Sequence, residues 1–434
     1  MKRTIYHDLI KWKNSEDRKP LMVYGARQVG KTYIIKKFGE NEYDNMVYIN
    51  CYKNEAIRQL FNSTIQINEI LLGLSSLTGQ HIQPRNTLIF FDEVQEIPEV
   101  VASLKYFCED APDYNVIVAG SLLGVLNLEN ISFPTGKVNM IHMYPMTFKE
   151  FLDAMGESGK NSLLEERRFQ LIDTLAVEYV KLLRKYYFVG GMPEVVASFI
   201  SDNNPEKVRT IQNEIINSYY ADIAKHAGRS TSRCRMVFDS IPAFLAKENK
   251  KFVFGAVQKG ARAADFETAI QWLVDAGLVY KVKRTRKVAI PLSFYTDNDS
   301  FKLFLLDVGL LGALADVPME TSLVSSNLFS EYKGAFTENY VMTQLVTSIP
   351  AKSIAYYKKE NSQVEIDFVV QKEDKLFPIE VKAEENVRSK SLRQFITVDY
   401  ADAGLKGIRF SMKGFADQDW MENIPLYAID SLLK

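Results

Sequence analysis

One glycine-bearing turn between an apolar strand and a helix constrains this chain more than any other feature. Its residues fit the spacing G-x-x-x-x-G-K-[ST]: they are Gly25, Ala26, Arg27, Gln28, Val29, Gly30, Lys31 and Thr32. The apolar run 20–24 leads into the turn, and the stretch TYIIKKF leaves it with helical spacing. Glycines let the backbone curl so that successive N–H groups point at one anion, and the helix N-terminus adds its positive end. The sequence therefore predicts a phosphate-binding loop.

Two side chains of this loop have distinct expected roles. Lys31 would reach the β- and γ-phosphates of ATP, and the Thr32 hydroxyl would ligate Mg²⁺. The competing interpretation is a glycine-bearing turn that only starts a helix. The flanking strand and helix favour the phosphate-binding loop over that alternative.

Further apolar runs predict the sheet that carries the loop. They share a length of five residues and continuous hydrophobicity, and they lie at 20–24, 46–50, 87–91 and 115–119. Such runs are typical of strands that are buried on both faces of a parallel sheet. Stretches with helical spacing, for example 31–38 and 100–109, lie between them. The alternation predicts a doubly wound α/β domain.

Polar residues follow two of these runs. Asp92 and Glu93 come directly after the run 87–91, and Ser121 follows the run 115–119. Because ligands bind at the carboxyl ends of parallel strands, we expect Asp92 to hold Mg²⁺ and Glu93 to polarise the water that attacks the γ-phosphate, while Ser121 would sense that phosphate. The alternatives are a solvated acidic strand end that caps the next helix and, for Ser121, a turn residue. The adjacent Asp-Glu pair favours a hydrolytic ATPase.

The chain resembles AAA-type P-loop ATPases of bacteria and archaea that carry a C-terminal domain of unknown function. The resemblance rests on the strings YGARQVGKT, LIFFDEVQ, VIVAGSLLGVL, PTGKVNMIHMYPMTFKEFL and GGMPEVV, and on the C-terminal strings EIDFVV and IEVK. It spans nearly the whole chain and implies adenine as the base. Relatives often carry Arg where Lys137 stands, and Lys lacks the two-pronged donor geometry of Arg. Because relatives often complete their site with a neighbouring subunit, the resemblance leaves a homo-oligomer open.

A change of pattern along the chain predicts three domains. The first, residues 1–205, would be the ATPase domain, with a helical lid in which TFKEFLDAM and EYVKLLRKYYFV have helical spacing. The second, residues 206–322, would be a winged-helix domain. The third, residues 323–434, would be an α/β domain of the restriction-endonuclease-like type.

Basic residues gather in the segment 247–287. This segment holds ten Lys or Arg and four acidic residues, whereas the whole chain has 53 basic and 54 acidic residues. Helical spacing through Phe266, Ile270 and Leu273, followed by the strand LVYKV and the basic turn KRTRK, looks like a winged helix. Such a wing can neutralise DNA phosphates with little reading of the bases. The alternative is a solvated face or a protein-contact module.

Two strands near the C-terminus are expected to bring three charged groups together. In VEIDFVVQKEDKLFPIEVKA, apolar residues alternate with Asp367 in the first strand and with Glu380 and Lys382 in the second. Two carboxylates at this spacing can hold Mg²⁺, and the lysine can orient or help deprotonate a water for attack on a phosphodiester. This looks like the D…E-x-K core of restriction-endonuclease-like nucleases, in which Glu338 and Gln394 would join the site. The alternative is an amphipathic hairpin with a salt-bridged solvent face.

Composition completes the expectations. Apolar and charged contents of 47% and 25% are those of a globular protein, and the widely spaced cysteines argue against a compact zinc motif. No signal peptide and no apolar run of about 18 residues is visible, so a cytoplasmic protein without a membrane partner is expected. We expect Mg²⁺-dependent ATP hydrolysis coupled to a nuclease-like domain, with DNA contacted through 247–287 and the C-terminal domain. The alternative is a nucleotide-controlled binding protein whose C-terminal domain is a silent docking module.

Overall fold

The chain divides into two compact units. The structure, a computed structural model, describes residues 1–121, 134–247, 250–318, 330–383 and 388–433. Unit 1 comprises Met1–Tyr144 with Asp275–Gly277, and unit 2 comprises Pro145–Val274 with Leu278–Lys434. The boundary predicted at residue 205 therefore lies inside unit 2, and the division into three domains stays a prediction.

Unit 1 alternates strands and helices. Its described helices, α1 to α5, are Ile5–Lys13, Lys31–Glu42, Glu55–Ser63, Ile67–Thr78 and Pro98–Asp110. Its described strands, β1 to β5, are Leu21–Tyr24, Asn45–Asn50, Thr87–Asp92, Asn115–Gly120 and Asn139–His142. The four predicted apolar runs are β1 to β4, so the α/β prediction is confirmed for this unit.

The strands of unit 1 form a parallel sheet in the order β2-β3-β4-β1-β5. Every residue of β3 and β4 is buried, which is the pattern of central strands covered on both faces and accounts for their continuous hydrophobicity. The register pairs Tyr24 with Gly120 and Asn50 with Asp92. Residues that follow β1, β3 and β4 consequently lie at the same edge of the sheet.

Unit 2 begins with helices and ends with a mixture of helices and strands. The described helices, α6 to α17, are Phe148–Ala154, Ser158–Glu165, Phe169–Thr174, Ala176–Val189, Pro193–Asp202, Pro205–His226, Thr231–Leu245, Phe254–Val257, Ala263–Asp275, Val308–Leu314, Ser330–Leu345 and Lys390–Gln394. The described strands, β6 to β13, are Val279–Thr285, Thr296–Leu305, Ile354–Lys358, Glu365–Lys372, Lys375–Val381, Gly407–Ser411, Ala416–Gln418 and Met421–Pro425. Among the described helices, none combines the length and the apolarity that crossing a bilayer requires.

The helices of segment 145–205, predicted as a lid on the ATPase domain, pack inside unit 2. A reciprocal capping box between Thr147 and Glu150 starts α6. The backbone N–H of Phe148 donates to the side chain of Gln344 in α16 at 2.9 Å. The ring of Tyr186 in α9 meets the ring of Tyr340 edge-on, with centroids 5.8 Å apart. This segment therefore shares a core with the C-terminal part of the chain.

The described strands of unit 2 form one mixed sheet in the order β12-β13-β11-β10-β9-β8-β6-β7. Strands β9 and β10 pair antiparallel around a two-residue turn at Glu373 and Asp374, which confirms the predicted hairpin. Ile366, Phe368 and Ile379 are fully buried, as the alternation predicts. Helix α16 contacts β10 and β7, so it lies against this sheet.

The middle of the chain is built into the same sheet. As predicted, α14 carries the buried residues Phe266, Ile270 and Leu273, and Gly277 follows it with a positive φ of 71°. Strands β6 and β7 form an antiparallel pair, and β6 also pairs in parallel with β8 of the C-terminal segment. The strands expected in a winged helix are thus continuous with the C-terminal sheet, and the winged helix itself stays a prediction.

Candidate functional site

The loop after β1 has the backbone of an anion-binding turn. Gly25 and Gly30 have φ values of 155° and 94°, and Gln28 between them also has a positive φ, 65°. A Cβ atom on Gly25 would lie only 2.2 Å from the carbonyl oxygen of Met143, so glycine is required where the loop passes the chain after β5. Positive φ values of this kind turn successive N–H groups into one concavity.

Lys31 begins α2 and folds back over the loop. Its ammonium donates to the carbonyl oxygens of Gly25 at 3.0 Å and Ala26 at 2.8 Å. Burial lowers the pKa of Lys31 to about 8, although the carboxylates of Glu93 and Asp92 oppose that shift. The cation therefore lacks full compensation by the protein, and anionic oxygens at the loop would stabilise its charged form.

Asp92, at the end of β3, lies beside Thr32. The Thr32 hydroxyl donates to Asp92 Oδ2 at 2.7 Å, and the Tyr48 hydroxyl approaches the same oxygen at 3.3 Å. Burial raises the pKa of Asp92, and the hydrogen bond from Thr32 counteracts it. A hydroxyl and a carboxylate at one point beside a phosphate-binding loop are hard oxygen ligands, so this pair fits the Mg²⁺ that P-loop folds use.

Glu93 sits in a strained turn next to Asp92. Its φ and ψ are 52° and 43°, left-handed values that are uncommon for a residue with a side chain. The Gln95 side-chain amide donates to Glu93 Oε2 at 2.5 Å. This hydrogen bond fixes the direction of the Glu93 carboxylate at the sheet edge.

Ser121 follows β4 at the same sheet edge. Its predecessor Gly120 pairs with Tyr24, the residue that precedes the loop. The sequence interpretation of Ser121 as a phosphate sensor is compatible with this position, and its role stays a prediction.

A histidine that the sequence interpretation missed also borders the loop. The His142 ring stacks on Tyr24 with centroids 4.7 Å apart and lies 4.0 Å from the Tyr144 ring. Burial, with a smaller contribution from the charge of Lys31, lowers the pKa of His142 to about 4. His142 is therefore neutral near pH 7 and adds no positive charge to the loop.

Unit 2 gathers the three predicted C-terminal residues. The backbone N–H of Val381 donates to Asp367 Oδ2 at 2.8 Å, and Lys382 Nζ lies 2.9 Å from Glu380 Oε1. Glu338 joins them, since burial together with the charge of Glu338 raises the pKa of Asp367 to about 7. Glu380 is only 4% exposed and Glu338 of α16 only 5%, whereas Asp367 and Lys382 are partly exposed, so the charged face of the hairpin is covered in part.

Lysines that the sequence interpretation did not assign to this site surround these carboxylates. Lys250 forms an ion pair with Glu338 Oε1, and Lys302 lies 2.8 Å from Glu365 Oε1 and 3.8 Å from Glu338 Oε2. Burial alone would lower the pKa of Lys302, but the neighbouring carboxylates raise it well above its ordinary value. We call the whole group the lysine–carboxylate cluster: Glu338, Glu365, Asp367, Glu380, Lys250, Lys302, Lys358 and Lys382.

Several basic residues of segment 247–287 are engaged within the protein. Arg284 forms an ion pair with Asp297 at 2.8 Å, and Lys281 lies over the Phe301 ring at 4.3 Å. Lys259 and Arg262 are solvent-exposed. The basic surface that a nucleic acid could meet is therefore smaller than the residue count suggests.

Two other candidates have separate surroundings. Gln394, proposed to join the C-terminal residues, is solvent-exposed at the end of α17, whereas Glu338 and Glu380 are buried. Lys137, which stands where relatives often have Arg, lies 2.8 Å from Glu109 in an exposed ion pair.

Sequence reasoning also missed Tyr48, Gln95 and Lys302. Gln95 had a visible signal, because it follows Glu93 by two residues at a strand end. Tyr48 and Lys302 had none, since their partners are 44 and 63 positions away in the chain.

Family comparisons divide the chain into three matched segments. Residues 17–152 match a family described as an AAA domain. Residues 180–321 and 333–429 match two families described as domains of unknown function, DUF8612 and DUF4143. No curated protein matches the sequence significantly. The segment that matches the AAA-domain family contains the phosphate-binding loop and Asp92.

Solved structures that resemble the chain include three P-loop or DNA-associated proteins. A Walker-type ATPase of Pyrococcus abyssi is 13% identical with a TM-score of 0.44, and the match covers 72% of this chain and 95% of that one. The Orc1 protein of Aeropyrum pernix in complex with DNA is 13% identical with a TM-score of 0.29, covering 74% and 92%. RuvB of Thermotoga maritima is 14% identical with a TM-score of 0.29, covering 63% and 87%. Because these TM-scores are low, the fold assignment rests on the sheet order and on the AAA-domain match.

Proposed function

We propose that this chain, whose first unit carries an AAA-type P-loop domain, binds ATP and hydrolyses it with Mg²⁺. One observation carries the proposal: the hydrogen bond of 2.7 Å between Thr32 and Asp92, beside Lys31 and next to Glu93. Three chemical groups that ATP hydrolysis requires, a cation for the phosphates, ligands for Mg²⁺ and a carboxylate for the attacking water, meet at one sheet edge.

Each residue would act on a different part of the reaction. The backbone N–H groups of the loop would bind the phosphates, and Lys31 would exchange the carbonyl oxygens of Gly25 and Ala26 for phosphate oxygens. Thr32 and Asp92 would hold Mg²⁺, which neutralises phosphate charge when bound. Glu93, oriented by Gln95, would accept a proton from the attacking water.

The proposal is tested with two variants of the full chain. Lys31→Ala should abolish ATP binding measured by calorimetry with Mg²⁺, because it removes the ammonium group that would contact the β- and γ-phosphates. Glu93→Gln should bind ATP with wild-type affinity and lose hydrolysis by roughly 100-fold or more, because the proton acceptor is gone. Lys37→Ala and Glu40→Gln, which change exposed residues of α2, are the matched controls.

Two results would contradict these roles. A wild-type chain that binds no ATP in the presence of Mg²⁺ would end the whole proposal. A Glu93→Gln variant that hydrolyses ATP at the wild-type rate would leave ATP binding intact and remove Glu93 as the water-activating group.

We further propose that ATP hydrolysis is coupled to a nuclease-like C-terminal domain that acts on DNA. The proximity of Asp367, Glu380 and Lys382, with Glu338 beside them, supports the resemblance to a D…E-x-K core. The exposed basic residues of segment 247–287, among them Lys259, Arg262, Arg286 and Lys287, are the candidates for contacts with DNA phosphates. A winged helix within 206–322 and a restriction-endonuclease-like domain within 323–434 belong to this proposal.

Plasmid nicking decides between this proposal and the alternative of a silent docking module. Full-length protein is incubated with supercoiled plasmid and Mg²⁺ or Mn²⁺, and wild type is compared with Asp367→Ala. Metal-dependent nicking that Asp367→Ala removes would support the nuclease. No nicking, or nicking that persists in Asp367→Ala, would favour the docking module.

DNA binding is measured separately across a salt series. The proposal expects affinity to fall steeply with salt, because Lys and Arg release counterions from the phosphates. A Lys259→Ala/Arg262→Ala variant should weaken binding and reduce the salt slope by about 2. Binding that is absent or insensitive to salt would leave segment 247–287 with a protein-contact role only.

A further inference from the structure

The lysine–carboxylate cluster of unit 2 is balanced in charge without a metal ion. Its four carboxylates, Glu338, Glu365, Asp367 and Glu380, stand beside four lysines, Lys250, Lys302, Lys358 and Lys382. A D…E-x-K arrangement needs only one of these lysines, Lys382. Of the other three lysines, Lys250 and Lys302 pair with Glu338, and Lys302 and Lys358 pair with Glu365.

Lys302 requires these contacts because its side chain is buried. Lys302 is 1% exposed, and it lies over the Tyr356 ring at 4.8 Å as well as beside Glu365 and Glu338. An ammonium group removed from water is stable only when carboxylates compensate it, and the same holds for the carboxylates. The lysines and the acids therefore stabilise each other, and neither set is simply available to a third partner.

One oxygen of each of three carboxylates in the cluster is already in use. Lys250 occupies Glu338 Oε1, Lys382 occupies Glu380 Oε1, and the Val381 N–H occupies Asp367 Oδ2. In the described part of the chain, no three side chains among His, Cys, Asp and Glu are arranged to hold a metal ion. The residues present at this site therefore do not fit the Mg²⁺ that the nuclease resemblance implies.

The compensation of charge within the cluster is weakest at two carboxylate oxygens. Glu338 Oε2 and Glu380 Oε2 are buried without a hydrogen-bond partner. Lys250 is the lysine at the margin of the cluster, with its side chain 13% exposed, and its ion pair is with one of these two carboxylates. Removing the Lys250 charge would leave Glu338 undercompensated next to Asp367 and Glu380.

We propose that Lys250 is an internal counter-ion that excludes divalent cations from the carboxylates of unit 2. This inference rests on the proposed nuclease-like arrangement and specifies its state: with Lys250 in place, the D…E-x-K group does not hold Mg²⁺. The segment of the chain that was expected to contact DNA thus supplies a cation to the C-terminal site.

Binding of Mn²⁺ alone, counted by electron paramagnetic resonance, tests the proposal. Full-length protein is used without nucleotide, and Thr32→Val is present in every sample to remove a ligand of the loop in unit 1. Lys250→Met should gain one Mn²⁺ site with an affinity on the order of 10-fold or more above wild type. Adding Asp367→Asn should abolish the gain, whereas Lys250→Arg, which keeps the charge, should bind as weakly as wild type.

Either of two results would overturn the proposal. The first is a wild-type chain that already binds one Mn²⁺ and loses it with Asp367→Asn, a result that can be observed without any Lys250 variant. The second is a folded Lys250→Met, or the polar substitute Lys250→Gln if Lys250→Met does not fold, that gains no Mn²⁺. Because neither ATP nor DNA is present, a chain that fails to hydrolyse ATP contradicts the proposed ATPase and leaves this result unaffected. A chain that fails to nick plasmid contradicts the proposed nuclease but agrees with this inference, so the Mn²⁺ count and not the nicking assay decides it.

Discussion

Lys31 and Lys302 are both lysines close to carboxylates, yet the protein shifts their pKa values in opposite directions. Burial lowers the pKa of Lys31 to about 8, and the nearby Asp92 and Glu93 do not reverse it. At Lys302 burial acts in the same sense, but the carboxylates of Glu338 and Glu365 outweigh it and raise the pKa. The residue types are alike, and what differs is how completely the protein itself neutralises the cation.

This difference separates a site prepared for a ligand from one that is satisfied internally. The ammonium of Lys31 donates to backbone carbonyls, which a phosphate can replace at little cost. The ammonium of Lys302 faces two buried carboxylates, whose separation from it would leave charges unpaired. A cluster of charged side chains is therefore evidence for a binding site only when the protein leaves part of its charge without compensation by groups of opposite charge.

The largest expected difference concerns stability, when each of the two lysines is replaced by methionine, which removes the charge and keeps the approximate shape of the side chain. Lys302→Met should lower the free energy of unfolding by about 3–5 kcal/mol, because it leaves buried carboxylates uncompensated. Lys31→Met should change it by about 1 kcal/mol or less, because the lost hydrogen bonds are offset by removal of a buried charge. Urea titration of both variants measures the difference, and equal losses would erase the distinction between the two sites.

A second prediction tests whether Gln95 orients the carboxylate of Glu93. Gln95→Ala should lower kcat for ATP hydrolysis by about 10- to 100-fold with little change in ATP affinity, because Glu93 loses the group that orients it. Gln95→Glu, which removes the amide donor, should fail in the same way, whereas Gln59→Ala on α3 should not affect the rate. A loss of ATP affinity without a loss of kcat would assign Gln95 a structural role only.

The opposite pKa shifts predict different responses to pH. The affinity for ATP should fall by roughly tenfold between about pH 7 and pH 9, because Lys31 loses its proton in the free protein and must regain it to bind phosphate. Between about pH 8 and pH 10, Lys31 binds fewer protons in the folded protein than in the unfolded one. The contribution of Lys31 to the free energy of unfolding therefore rises over this pH window. Lys302 should contribute equally between about pH 8 and pH 10, since its pKa is raised.

Calorimetry in buffers with different ionisation enthalpies checks this prediction, because it counts protons taken up with ATP. Uptake should be absent at pH 7 and approach one proton near pH 9. An affinity that stays constant from pH 7 to pH 9 would show that the environment of Lys31 does not depress its pKa.

The smallest effect concerns Tyr48. Tyr48→Phe removes a hydroxyl that approaches Asp92 at 3.3 Å and should raise KM for Mg²⁺-ATP by about fivefold or less. Tyr52→Phe, an exposed position after β2, is the matched control. A loss as large as that of Glu93→Gln would mean that Tyr48 contacts the reacting groups themselves.

The sequence predicted the parallel strands of unit 1 because short, continuous apolar runs and strand-end polar residues are local signals. It also predicted the β9–β10 hairpin, since alternation fixes which residues share a face. It could not show whether the second face is covered. Glu338 on α16 and Glu380 on β10 are buried where the helix lies against the sheet, through contacts between distant parts of the chain that alternation does not encode.

The packing partner of the helices predicted as a lid could not be predicted for a related reason. Helical spacing in 145–205 identifies the helices, but their apolar faces do not reveal which partner they meet. Tyr186 and Phe148 contact Tyr340 and Gln344 of α16, which lie 154 and 196 residues further along the chain. The catalytic and metal-binding roles of all named residues remain predictions until the variants are measured.

The parallel pairing of β6 with β8 has a consequence for how the protein can be divided. A chain cut near residue 322 would leave two fragments with unpaired backbone N–H and C=O groups along freshly exposed strands, a template for aggregation. The last hundred residues therefore cannot be exchanged as an independent domain. A successful graft onto another ATPase would have to include β6 and β7 together with the C-terminal strands.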